Sequence, residues 1–114
     1  MTFEAFQVVR VPFPFTDRNA SKNRPALVLS VAEHFNTVAG HSVMAMITSS
    51  GHAPWPLDTY IGDLPAAGLH APSKVRFKLF TVDHRLVNGV LGRLNAKDEA
   101  QVRGALALLL GYSP

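Results

Sequence analysis

The sequence has no cysteine at all, which removes disulfides, thiolate metal ligands and cysteine nucleophiles together and accords with a reducing compartment. Charge is also scarce: Asp, Glu, Lys and Arg make up 17% of the chain against 47% hydrophobic residues. That balance excludes a disordered tail and describes a folded chain, with enough apolar surplus to suggest a surface buried in a partner. Yet no apolar run approaches the roughly 20 residues that span a bilayer, so no membrane association is expected. The opening MTFEAFQVV carries an acid and no basic segment; it does not read as a secretory leader, and a cytoplasmic location is expected.

Signatures of the common catalytic classes are missing too. Of the five histidines (His34, His41, His52, His70, His84), no two stand at HxH or HxxxH spacing, and no HExxH occurs. With no acidic cluster near them they read as surface or interface residues, and neither a metal site nor a cofactor is expected. Gly62, Gly68, Gly89 and Gly92 fit neither a phosphate loop nor a dinucleotide fingerprint. No GxSxG elbow surrounds Ser30, Ser49, Ser50 or Ser73.

What is present fits one domain over residues 1–114, long enough for a single core. FQVVRVPF (6–13) has strand composition, and Pro12 and Pro14 argue against its continuing as a central strand. TDRNASKN (16–23) reads as a surface loop. ALVLSV (26–31) is a short strand apolar on both faces, with Arg24 at its entrance, held extended by Pro25. AEHFN (32–36) reads as a helical turn or loop. SVMAMITSS (42–50) is a third strand, and the Pro- and Gly-rich 51–73 admits only short elements, such as an edge strand over 57–61. KVRFKLFTV (74–82) alternates Lys74, Arg76 and Lys78 against Val75, Phe77 and Leu79, which predicts a basic row facing water. GVLGRL (89–94) closes the strand series after a turn or short helix over 83–88. From Asn95 the period changes to helical: Asn95 caps, Asp98 and Glu99 occupy the first turn, and Val102, Leu106, Leu109 and Leu110 form a stripe ended by Gly111. The expected fold is mainly β, a small bent sheet or barrel with a C-terminal helix packed on it. Leu108 lies off the apolar stripe, which suggests that the helix meets a partner as well as the sheet.

The net charge is +3, with a pI near 9.7, and seven of the eleven basic residues are arginine, the side chain whose planar fork suits phosphate. Many proteins that bind no polyanion share such a balance. Arg24, the basic strand face and ITSSG (47–51) could together bind an anion, through Thr48 and Ser49 hydroxyls and nearby backbone N–H groups. Strand termination and a solvated arginine account for the same residues. Trp55, the only tryptophan, could stack on a base or pack into an interface.

VVRVPFPFTD, KNRPALVLS, MITSS, AGLHAPSKVRFKLFTVD and LGRLNAKDEAQVRGALALLLG, in this order, resemble the MazF/PemK-like toxins of type II toxin-antitoxin systems over nearly the whole chain. The resemblance implies an SH3-like barrel of the kind shared with CcdB-type gyrase toxins, and a homodimer. It implies a metal-independent endoribonuclease acting on single-stranded RNA, with no cofactor. It implies an antitoxin partner whose flexible tail blocks the RNA groove, the pair together binding DNA. Arg24 matches the arginine of the family's RP motif and Thr48 its strand-end threonine, so the resemblance makes these two the catalytic pair. Ser49, Arg76, Lys78, Lys22, Arg18 and Trp55 are then expected along the RNA, with base readout in loops 16–23 and 51–56. Since RNA supplies its own 2′-hydroxyl nucleophile, the protein has to deprotonate it, stabilise the phosphorane and protonate the 5′-oxygen.

The sequence departs from the family at one position. Some members carry Arg-x-Asp on the basic strand, the acid proposed as general base; here Arg76 matches, but Lys78 stands in the acid's place and cannot be the same base at an ordinary lysine pKa. His52 and Asp17 are alternatives, as is catalysis by positioning and charge alone. Three functions stay open at this point: a ribonuclease toxin, a toxin of the same fold that inhibits a protein such as DNA gyrase, and a degenerate member that only binds antitoxin.

Overall fold

A computed structural model describes residues 2–13 and 22–112. The expected loop residues Asp17 and Arg18 lie outside the described residues. Strands β1 (Gln7–Phe13), β2 (Lys22–Val28), β3 (His41–Ser49), β4 (Thr59–Tyr60), β5 (Ser73–Asp83) and β6 (Val90–Arg93) form one curled antiparallel sheet in the order β4-β5-β3-β2-β1-β6. A π-helical turn over Ala32–Asn36 runs into α1 (Thr37–Ala39) between β2 and β3; α2 (Leu64–Ala67) follows β4, and α3 (Ala96–Leu110) ends the chain. This is the mainly β fold with a terminal helix that the strand pattern predicts.

Both faces of the sheet are buried. Val8, Leu27, Ala45, Ile47, Val75 and Phe77 point to one side and meet Val102 of α3. Val9, Val11, Ala26, Val28, Met44 and Val82 point to the other and enclose Phe3. Neighbouring residues alternate between two cores, which is why ALVLSV reads as continuously apolar. β1 is interior after all, lying between β2 and β6. Pro12 is tolerated there because β6 pairs only with Gln7, Val8 and Val9, so no ladder on that side needs its missing N–H.

β2 begins earlier than the sequence predicts, at Lys22, so Arg24 sits inside the strand opposite Val11 and not at its entrance. The strand can start there because β1 supplies partners as far as Phe13, opposite Lys22. The basic row of β5 also needs correction: Lys74 is 1% exposed, Arg76 is half-buried and only Lys78 is open to water, while Leu79 is 40% exposed. The alternation of β5 is right, but its basic face is covered by the segment 52–58.

Asn95 caps α3, accepting from the Asp98 N–H at 2.8 Å, and Gly111 ends the helix at φ 77°. Asp98 turns inward to accept from the Gly62 and Asp63 N–H groups at 3.0 and 2.9 Å, tying the helix start to the segment after β4. The apolar stripe is buried only as far as Leu106; Leu108, Leu109 and Leu110 stand exposed. Contacts with the sheet end there, and the last turn carries its leucines beyond the core.

Candidate functional site

The face that carries the second core becomes polar at the other end of the strands. Register makes this site. Arg24 pairs with Val11, Thr48 with Lys74, and Lys74 with Tyr60. β2 pairs with β3 from Ala26, opposite Met46, to Val28, opposite Met44; by strand alternation Arg24 shares the face of Ala26, and Thr48 that of Met46. One row therefore crosses β3, β5 and β4 through Thr48, Lys74 and Tyr60, and Arg24, paired with Val11 on β1, lies on the same face of the sheet. Pro25 excludes the helical region at Arg24 and so keeps it in the strand. Lys22, two residues away and exposed, shares its face.

Beyond Thr48 the chain turns sharply, with the His52 N–H donating to the Ser49 carbonyl at 3.1 Å. This returns the His52 ring over the strand end, where Nδ1 lies 2.5 Å from Thr48 Oγ1. Ser49 points to the opposite face, and its hydroxyl accepts from the Gly51 N–H at 3.4 Å. The predicted Thr48–Ser49 pair of phosphate ligands is thus divided, since adjacent strand residues face opposite ways.

The segment 52–58 is pinned from below by two cations and one carboxylate. Lys74 Nζ donates to the His52 carbonyl at 2.8 Å and pairs with Asp58 Oδ2 at 3.0 Å. Arg76 grips the same carboxylate with both arms, Nη2 to Oδ2 at 3.0 Å and Nε to Oδ1 at 3.3 Å, and reaches the Ala53 carbonyl at 2.6 Å. Asp58 is presented by a reversal in which Leu57 takes φ 66° and the Trp55 N–H donates to Asp58 Oδ2 at 3.0 Å. Burial pushes the Asp58 carboxyl up, but the hydrogen bonds from Arg76, Lys74 and the Trp55 N–H outweigh it and hold its pKa at about 2. Asp58 is therefore an anion engaged by two cations and a backbone N–H.

On the rim, Trp55 is 41% and Tyr60 61% exposed. Lys78 Nζ lies 4.5 Å from the Trp55 ring centroid and Lys74 Nζ 5.8 Å from that of Tyr60, both cation–π distances. The structure thus brings Arg24, Thr48, Lys22, Trp55 and Lys78 to one surface, assigns Arg76 to its support, and turns Ser49 away. Asp58 and Tyr60 escaped the sequence reading as site residues, and Lys74 entered it only as part of a water-facing basic row: PWPLD looks like any proline-rich turn, and nothing local links Asp58 to a lysine 16 positions on. Chemically the site offers the exposed cations Lys22, Arg24 and Lys78 for an anion, a hydroxyl bonded to an imidazole, and aromatic rings for stacking. Among the described residues, no group of three or more acidic or histidine side chains is placed to hold a metal ion.

A model of the family described as PemK-like, MazF-like toxins of type II toxin-antitoxin systems matches residues 4–110. No curated protein matches the chain in sequence. Among solved structures, the MazE-MazF crystal structure from Deinococcus radiodurans is similar over 99% of this chain and 99% of its own, at 26% identity and TM-score 0.75. MazF alone from the same organism covers 97% and 98%, at 26% identity and TM-score 0.73. A mycobacterial endoribonuclease bound to its cognate antitoxin shares the fold at 17% identity, with TM-score 0.76 over 99% of this chain and 97% of its own.

Proposed function

Because the chain belongs to the PemK-like, MazF-like toxins of type II toxin-antitoxin systems, we propose that its strand-end site cleaves single-stranded RNA by attack of the ribose 2′-hydroxyl on the adjacent phosphate, without a metal ion. The observation that carries this reading is that Arg24 and Thr48 lie on one face of the neighbouring strands β2 and β3, the face that also carries the exposed Lys22 and Lys78. A scissile phosphate held there meets a guanidinium fork from β2 and a hydroxyl donor from β3. Arg24 clamps and neutralises the phosphate as it gains charge in the transition state, and Thr48 donates to a non-bridging oxygen. Lys22 and Lys78 extend the cationic surface along the strand, while Trp55 and Tyr60 offer stacking faces for flanking bases. The products are a 2′,3′-cyclic phosphate and a 5′-hydroxyl end.

Two further features belong to this reading. The antitoxin partner is supported by the Deinococcus and mycobacterial complexes, and its acidic or flexible tail would occupy the same cationic surface. A homodimer is supported by the exposed Leu108, Leu109, Leu110 and Tyr112 at the end of α3, and sedimentation at micromolar concentration tests it.

The deciding experiment incubates purified, antitoxin-free protein with mixed-sequence single-stranded RNA in EDTA, beside Arg24→Ala, and maps the new 5′ ends. Cleavage at a recurrent short sequence, leaving 5′-hydroxyl ends and lowered at least 100-fold in the variant, is expected. Growth arrest with intact RNA would point instead to a protein target; neither arrest nor cleavage would mark a degenerate toxin.

A further inference from the structure

We propose that His52 is the group that moves the proton in this site, taking it from the 2′-hydroxyl and returning it to the departing 5′-oxygen. The proposal rests on the ribonuclease reading and names the residue that the substitution of Lys78 for the family's acid leaves open.

The geometry starts from the 2.5 Å contact between His52 Nδ1 and Thr48 Oγ1. A neutral imidazole carries one N–H, and the bond made by one ring nitrogen decides what the other can do. If Nδ1–H donates to Thr48 Oγ1, then Nε2 holds the lone pair and the Thr48 O–H remains available to a phosphate oxygen. Among the described residues Nε2 makes no hydrogen bond or ion pair, and the ring is exposed at the rim of the site. One contact thus readies a base and a phosphate donor side by side.

The second observation is how the ring is held. Lys74 bonds the His52 carbonyl at 2.8 Å and Arg76 bonds that of Ala53 at 2.6 Å, while Asp58 fixes both cations. Buried charge is spent on fixing the backbone that bears the imidazole, so Lys74 and Asp58 act as positioning residues. The same arrangement engages two other polar side chains of the site. Asp58 accepts from Lys74, Arg76 and the Trp55 N–H, and its side chain is only 8% exposed, so it is turned away from a substrate on the rim. Lys78 lies against Trp55. Among the described residues, the charged groups in the network that holds His52 are Lys74 and Arg76 from β5 and Asp58 from the turn before β4, and the imidazole alone keeps a ring nitrogen without a partner.

In the reaction, Nε2 takes the 2′-hydroxyl proton as the O2′–P bond forms. The P–O5′ bond breaks, and the imidazolium gives the proton to O5′. The net change carries one proton from O2′ to O5′ and consumes no water.

The test uses the full chain with His52→Gln and His52→Ala, assayed on the same RNA as wild type with kcat and KM measured separately across pH. Loss of about 100-fold or more in kcat with little change in KM is expected. The fall in wild-type rate on the acid side should disappear in His52→Gln, and added imidazole should restore activity to His52→Ala. A merely structural role would move none of the last two. Melting temperatures should stay near wild type, because Lys74 uses the backbone carbonyl of residue 52. If wild type cleaves and His52→Gln cleaves within about threefold of it, with the same acid limb, the proposal is wrong and the ribonuclease reading stands. If wild type leaves RNA intact, the ribonuclease reading falls and this proposal with it.

Discussion

Replacing Asp58 by Asn should unfold this protein more readily than any other single-atom change near the site. The Lys74 side chain is 2% exposed and that of Asp58 8%, with 3.0 Å between Nζ and Oδ2. In Asp58→Asn the lysine keeps its bond to the His52 carbonyl but faces an uncharged amide, so an ammonium remains buried without a counter-charge. Breaking one side of such a pair costs about 3–5 kcal/mol. Arg76, whose side chain is 14% exposed, can turn toward water and adds less. For 114 residues the unfolding entropy is about 0.24 kcal/mol/K, so Tm should fall by about 12–20 °C. The double variant Asp58→Leu/Lys74→Met removes both charges and should recover most of that loss, while losing cleavage because the His52 carbonyl has no anchor. Thermal melts of the wild type, both single variants and the double variant give the coupling energy directly. The folded-state pKa of Asp58, about 2, lies below the unfolded carboxyl value of about 3.9. Its stabilisation is therefore complete above about pH 4 and is lost as pH falls toward 2. That segment of the acid limb should be missing in Asp58→Asn. Asp83, which the Arg85 hydrogen bond holds below the usual carboxylate range, keeps its own share. A loss under about 1 kcal/mol, or a double variant as unstable as the sum of the singles, would refute the view that Lys74 depends on Asp58.

Trp55→Ala should weaken RNA binding by about 1–3 kcal/mol through lost stacking, with kcat changed far less, as titration of a non-cleavable 2′-deoxy substrate and single-turnover kinetics would show. Gly68→Ala should cost about 3 kcal/mol in urea unfolding, because Gly68 sits at φ 72° and a Cβ there would lie 2.0 Å from the Leu91 carbonyl oxygen. An unchanged urea midpoint would mean that α2 and β6 can separate without loss.

Local rules carried much of this fold. The α3 boundaries follow from Asn95 and Gly111, and the two-sided burial of β2 from an apolar run too short for a helix. The extended backbone at Arg24 follows from Pro25. Arg24, Thr48, Lys78 and Trp55 could be singled out from the RP and TS motifs and from residue chemistry, because those are properties of short segments. The errors lie in strand pairing, in the burial of one segment by another and in alternation along a strand. Lys74 and Arg76 alternate as a water-facing row should, but the turn carrying Asp58 folds over them. Ser49 adjoins Thr48 in sequence and therefore faces away from it in the strand.

The sequence by itself determined that this is a small, cysteine-free, strand-rich chain ending in a capped helix, and it marked the residues that resemble the toxin family's site. Only the tertiary structure decided which of those residues share a surface and what holds them. Strand register sets Thr48 across from Lys74 and puts Arg24 on the same face, and a buried carboxylate recruits two cations to fix the turn that carries His52. These are relations between residues distant in the chain, and they depend on pairing and burial that no single segment encodes.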